Sequence, residues 1–169
     1  MNKSYCFIGV PYSGKSLFGL KIANFKNKKL INTDILLKNK YNNNISNIKK
    51  NNGYKNFILK EKKIIKSIKE NNIILVPDGS IIYSDDNLKY IKNKLNCDII
   101  HLHITYSEFC KRLDNLKRDN LERDIINPNN LSLIELYNER TYLSIYYSDI
   151  TFNANDKKIL LNNLINYIE

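Results

Sequence analysis

Near its N-terminus the chain passes from a short apolar stretch, Tyr5 to Ile8, into Gly9-Val10-Pro11-Tyr12-Ser13-Gly14-Lys15-Ser16. A helical pattern follows through Leu17, Leu20, Ile22, Ala23 and Phe25. Strand, glycine-bearing turn and helix in that order open a βαβ unit, and the turn satisfies the phosphate-loop pattern G-x-x-x-x-G-K-S/T. The chain holds only 5 glycines, so a chance match is rare. Glycine at both ends of the turn lets successive N–H groups face inward on a phosphate. Lys15 is placed to reach the β- and γ-phosphates, and the Ser16 hydroxyl suits Mg²⁺. The helix beginning near Lys15 adds the positive end of its dipole. Gly9, Pro11, Tyr12, Ser13, Gly14, Lys15, Ser16 and Leu17 are therefore the expected nucleotide contacts. ATP and Mg²⁺ are the expected cofactors.

The remaining pattern alternates in the same way. Lys29 to Ile31 reads as a short second strand, and the asparagine-rich stretch Ile35 to Asn56 as short helices and loops. Phe57 to Ile68 is amphipathic at helical spacing. Ile73 to Val76 is a continuous apolar run stopped by Pro77-Asp78-Gly79-Ser80, the mark of a strand buried on both faces. Leu88 to Leu95 reads as helix, Asp98 to Thr105 as strand and Phe109 to Leu116 as helix. Helix at Leu131 to Tyr147, strand at Asp149 to Phe152 and helix at Lys157 to Ile168 complete the series. The predicted fold is a three-layer α/β domain over residues 1–169, a five-stranded parallel sheet with helices on both faces.

Composition narrows the function classes. A formal net charge of +10 invites a nucleic-acid reading, but the excess is lysine spread along a chain rich in Asn, Ile and Tyr. A solvated lysine-rich surface accounts for it, so a nucleic-acid-binding module ranks last. The four arginines, Arg112, Arg118, Arg123 and Arg140, all fall in one late stretch. Arginine binds phosphate and carboxylate in a fork that lysine cannot copy, so this stretch is expected to handle anions. The three cysteines lie far apart and imply reduced thiols. The first apolar run is too short for a signal peptide, and no apolar run reaches the roughly 20 residues of a membrane span. A cytoplasmic monomer is the expectation.

With these residues in view, the chain resembles the shikimate kinases, part of the nucleoside-monophosphate-kinase-like group of phosphate-loop proteins. An Asp-x-Asp element that ends the second strand in that family reads Asn32-Thr33-Asp34 here. A Phe-Arg-x-x-Glu element reads Phe57-Ile58-Leu59-Lys60-Glu61, a glycine triplet reads Asp78-Gly79-Ser80, and a Glu-Arg element reads Glu139-Arg140. The resemblance implies transfer of the ATP γ-phosphoryl group to a hydroxyl of a small anionic acceptor, shikimate in the family. It puts Asp34, Ile58, Gly79 and Arg140 at the acceptor, within a segment of about residues 33–61 for the first two. It also implies a lid over about residues 112–127, with Arg118 or Arg123 as the lid arginine. Lys15, Asp34 and Arg118 are then the catalytic candidates.

The departures fall on the acceptor side. Ile58 stands where the pattern has arginine, Asp78 where it has glycine, and Asn32 where it has the first acid. Asp78 carries two readings: a strand-end acid that assists Mg²⁺, or a turn cap before glycine. His101 and His103 alternate on one strand face and read as packing residues. A kinase for a different small acceptor and a nucleotide-binding protein without turnover stand as the alternatives.

Overall fold

The computed structural model describes residues 3–42, 45–118 and 125–169. Five parallel strands form one sheet in the order β2-β3-β1-β4-β5. They are β1 (Ser4–Ile8), β2 (Lys29–Asn32), β3 (Ile73–Val76), β4 (Cys97–His103) and β5 (Ile150–Asn153). The helices are α1 (Lys15–Phe25), α2 (Thr33–Tyr41), α3 (Ile45–Ser67), α4 (Asp85–Asn93), α5 (Tyr106–Arg118), α6 (Leu133–Tyr147) and α7 (Lys157–Tyr167). A 3₁₀ turn covers Ile81–Tyr83. None of the described helices is long and apolar enough to cross a membrane.

Period-two alternation divides each central strand between two cores. Tyr5 and Phe7 of β1, with Ile74, Val76, Ile100 and Leu102, pack under α1, α5 and α7 through Phe18, Ile22, Phe109, Leu160 and Leu164. Cys6 and Ile8, with Ile73, Leu75 and Ile99, pack on the opposite face against Ile65 of α3, Ile68 just beyond its end, and Leu88 and Ile91 of α4. Each such side chain contributes about 1.5–3 kcal/mol when fully buried, so the cores outweigh any surface ion pair. The three thiols are free, with Cys6 and Cys97 buried.

The stretch read as loops and short helices is more regular than its asparagines suggest. Asn32 caps α2, its side-chain oxygen accepting from the N–H groups of Asp34 and Ile35 at 2.9 and 3.4 Å. Helix α3 breaks at Gly53, where φ is 65° and ψ 163°. A third cluster of Leu37, Ile48, Phe57 and Ile64 holds the two helices together. Tertiary packing has overridden a weak local pattern there.

Gly19 lets α1 lie close on the sheet, since a methyl group at that position would stand 2.5 Å from Cγ2 of Val76. Gly19→Ala gains about 1 kcal/mol of helix propensity but overpacks a stiff β-branched neighbour, at a cost of about 1–3 kcal/mol. The expected outcome is a net loss, read as a melting temperature lowered by a few degrees. A variant that melts above the parent would show that α1 lifts freely from β3.

Candidate active site

All strands are parallel, so their carboxyl ends share one edge, where open α/β sheets gather ligands. The turn after the central strand β1 occupies that edge. Gly9 has φ 143° and Gly14 φ 101°, both in the region that favours glycine. At Gly9 a methyl group would also stand 2.7 Å from the Leu102 carbonyl oxygen. Tyr12 lies at the turn's tip with φ 65°, a strained value for a bulky residue. Its ring stacks on Phe109, with centroids 6.2 Å apart, and its carbonyl oxygen accepts from Arg112 Nη1 at 3.0 Å. Arg112 Nη2 also donates to the Ala154 carbonyl, and Nε to Glu108. That arginine therefore clamps the turn to the end of β5.

The interior of the turn fits phosphate. Helix α1 begins at Lys15 behind Gly14, with no side-chain cap and no acid in its first turn. Its first N–H groups lack intrahelical partners. Ser13 is fully buried and its hydroxyl has no partner. Lys15 Nζ donates to the carbonyl oxygens of Gly9 and Val10 at 2.8 and 3.0 Å. Ser16 and Leu17 are exposed, while Pro11 and Tyr12 are half-buried. Beneath the turn, His101 is buried with Nδ1 3.3 Å from the Thr151 hydroxyl. Burial first, then His103 and Lys15, pushes its pKa down to about 3, so it lies there as a neutral ring.

Next to the turn lies the end of β3. A methyl group at Gly79 would stand 3.3 Å from Arg140 Nη1, 3.6 Å from the Gly9 carbonyl oxygen and 3.8 Å from Lys15 Nζ. Arg140 is 2% exposed. Its Nη1 donates to the Gly79 carbonyl at 3.3 Å and its Nη2 to that of Ile126 at 2.5 Å. The guanidinium lies over the Tyr83 ring, 5.5 Å from its centroid. The neighbouring Glu139 accepts instead from Tyr83 and Asn129. Asp78 Oδ1 accepts from the Ser80 N–H and hydroxyl at 2.9 and 2.7 Å, so this oxygen caps the turn.

Asp34 sits in the first turn of α2 and Ile58 is half-buried on α3. The structure thus brings Lys15, Gly79 and Arg140 to one place, with Asp78 adjoining Gly79 in the chain. Arg118 closes α5, its side chain outside the described residues, and Arg123 also lies outside them. Among the described residues, no group of three or more His, Cys, Asp or Glu side chains is placed to hold a metal.

The family model for shikimate kinase matches residues 11–169. This chain belongs to the shikimate kinase family. It is 29% identical over 156 residues to a shikimate kinase of Clostridium botulinum (strain ATCC 19397 / Type A), across 91% of this chain and 89% of that protein. Among solved structures, shikimate kinase from Acinetobacter baumannii in complex with shikimate matches with a TM-score of 0.77 at 21% identity, covering 99% of this chain and 96% of that one. Shikimate kinase from Bacteroides thetaiotaomicron matches at 0.77 and 14%, covering 97% and 94%. At those identities the structural likeness is one of fold. The sequence relatives add that the chain is a kinase.

Sequence reasoning quoted Glu61 in the shikimate kinase pattern without giving it work, and the structure makes it central. Glu61 is fully buried; Oε1 accepts from the Thr33 hydroxyl and the Asp78 N–H, both at 3.1 Å, while Oε2 has no partner. Desolvation, then the charge of Asp78, pushes its pKa up to about 8. Arg112 was legible only as one of four scarce arginines.

The raised pKa carries a stability signature. In the unfolded chain Glu61 ionises near its ordinary value of 4.5, and in the folded chain near 8. The folded state therefore holds the extra proton between those values, and stability falls as pH rises through that window. Glu61→Gln keeps an acceptor oxygen and removes the titration. Its melting temperature should gain on the parent's from about pH 5 to about pH 9. A difference that stays constant with pH would show Glu61 ionised throughout.

Proposed function

We propose that the chain is an ATP-dependent kinase that transfers the γ-phosphoryl group to a hydroxyl of a small acceptor, in the manner of a shikimate kinase. The observation that carries this reading is the meeting at Gly79. Lys15, from the phosphate loop, and Arg140, from α6, both approach that residue. One small space is therefore bordered by a phosphate-binding cation and by a buried guanidinium.

Gly9, Pro11, Tyr12, Ser13, Gly14, Lys15, Ser16 and Leu17 would hold the nucleotide, with backbone N–H groups and the α1 dipole facing the phosphates. Bound MgATP supplies the transferable phosphoryl group and the metal charge that offsets its oxygens. Ser16 presents its hydroxyl on the metal side. Asp78, which already caps its own turn, would be the acid on that side. Asp34 orients the acceptor hydroxyl and takes its proton as oxygen attacks the γ-phosphorus and the bond to ADP breaks. Lys15 and a lid arginine, Arg118, stabilise the charge that spreads over the phosphoryl oxygens, which is where most of the acceleration in such transfers arises. Residues 33–61 form the acceptor-binding segment and about 112–127 the lid.

Two variants test separate halves of this reading. A ligand that binds only the native state adds about 2.7 kcal/mol at a hundredfold excess over its dissociation constant. The parent should therefore melt several degrees higher with MgATP or MgADP, and Lys15→Ala should abolish that shift. An undiminished shift in Lys15→Ala would take the loop out of nucleotide binding.

Arg140→Lys should retain the nucleotide shift and lower kcat/KM for the acceptor by about tenfold or more, since an ammonium cannot reproduce a guanidinium fork. A loss of nucleotide affinity in Arg140→Lys would assign the residue to the phosphates instead.

A further inference from the structure

Two buried polar atoms under the phosphate loop have no work in the reaction above: the Ser13 hydroxyl and Nε2 of His101, both without a hydrogen-bond partner. They converge on one point. A methyl group at Gly9 would stand 3.1 Å from the Ser13 hydroxyl oxygen and 3.4 Å from Cδ2 of His101. Cδ2 is bonded to Nε2, so the ring edge that carries the unpartnered nitrogen faces the loop. Nδ1, on the other edge, lies 3.3 Å from the Thr151 hydroxyl, itself 3.5 Å from that of Ser148. Sheet register sets this arrangement. His101 of β4 stands between Ile8 of β1, the residue before Gly9, and Thr151 of β5.

The two groups match chemically. His101 is fully buried, and burial, His103 and Lys15 all oppose a second proton on its ring. A neutral imidazole holds one donor and one acceptor nitrogen, and a hydroxyl both donates and accepts, so the pair fits in either tautomer. Lys15 supplies the reason for the pair. In this structure its ammonium holds the loop from within, on the carbonyl oxygens of Gly9 and Val10. A loop lysine that turns to the β- and γ-phosphates gives up those bonds. The loop then needs a hold for which no phosphate competes, and the ring edge under Gly9 is placed to give one.

We propose that His101, which the sequence reads as a packing residue, is a positioning residue of the phosphate loop. With nucleotide bound, its Nε2 pairs with the Ser13 hydroxyl, and its Nδ1 ties that pair through Thr151 to β5. The proposal rests on the nucleotide reading above, and the test separates the two. Calorimetry on the full chain measures the MgADP dissociation constant of the parent, Ser13→Ala, His101→Phe and the double variant. Nitrogen NMR follows the His101 ring with and without MgADP. The chain has only two histidines, so His103→Gln leaves His101 as the single ring signal.

Each single variant should bind MgADP about fivefold more weakly, the size of one neutral hydrogen bond. The double variant should bind no more weakly than either single one, because the two groups act as a pair. The Nε2 resonance should move markedly further on MgADP binding when Ser13 is present than in Ser13→Ala. A role in packing alone gives neither that dependence nor the non-additivity. Additive losses in the double variant, unchanged affinity in Ser13→Ala, or an equal Nε2 shift with and without the Ser13 hydroxyl overturns the proposal and leaves the nucleotide reading standing. A folded parent that binds no MgADP overturns both. If His101→Phe fails to fold, the Ser13→Ala affinity and the Nε2 comparison decide by themselves.

Discussion

The Glu61 carboxyl accepts from the Thr33 hydroxyl and from the Asp78 amide, and the same amide lies 3.1 Å from the Thr33 hydroxyl oxygen. These three groups join the first residue of α2, the middle of α3 and the backbone just past β3. Three of the four residues proposed for the acceptor side adjoin this junction. Asp34 is one residue beyond Thr33, Ile58 one turn before Glu61, and Gly79 next to Asp78. Neutral hydrogen bonds contribute about 0.5–1.5 kcal/mol each, whereas an isolated buried carboxylate costs several kcal/mol. The protonated acid is therefore the form that fits the site at neutral pH, in line with its raised pKa. With the acid protonated, the junction is nearly charge-free.

The phosphate loop is built on the opposite logic. Its polar groups are concentrated and incompletely satisfied from within: an uncapped helix start, a buried Ser13 hydroxyl and a lysine turned onto its own loop carbonyls. Such groups carry a free-energy cost that an anion relieves. The strained Tyr12 backbone persists because its surroundings over-determine it. Arg112 holds its carbonyl from one side, and Phe109 stacks its ring from the other. Loop and sheet are thus tied through α5 and β5 as well as through β1.

What could be read from the sequence followed from how local each signal is. The loop, the five strands and most helices rest on periods and turn residues within a few positions, and Ile73 to Val76 is as buried as its unbroken apolar run implied. Helix α2 and the first arm of α3 were legible only as short helices and loops, because asparagine gives them little helical preference. They exist through the Asn32 cap and through packing of Leu37 and Ile48 on Phe57 and Ile64. Arg140 was singled out for its scarcity and its Glu-Arg setting, and the structure places it buried with Nη1 donating to the Gly79 carbonyl. Glu61 and Arg112 escaped assignment for the same reason as each other. Arg112 has a local partner in Glu108, one helical turn away, but the contacts that give the two residues their place lie 17 or more residues away along the chain, at Asp78 and Thr33 for one and at Tyr12 and Ala154 for the other. No pattern within a window reports such contacts.

The two halves of the site share little beyond Gly79. The proposed phosphate side comes from the β1–α1 turn, and the proposed acceptor side from α2, α3, the end of β3 and α6. At Gly79 the Gly9 carbonyl, the Lys15 ammonium and the Arg140 guanidinium all approach within 3.3–3.8 Å of where a side chain would begin. A methyl group there would crowd only the end of the Arg140 side chain. The φ of Gly79 is not in the left-handed region, so no backbone strain enters. A narrow shared border has an evolutionary consequence in energetic terms. Changes at sites more than about 7–10 Å apart, with no shared partner, add almost independently. On the proposed reading, substitutions on α3 bear on the acceptor and leave the loop's own contacts in place. The retained G-x-x-x-x-G-K-S turn beside an altered Phe-Ile-x-x-Glu element is the pattern that such a division of the site permits.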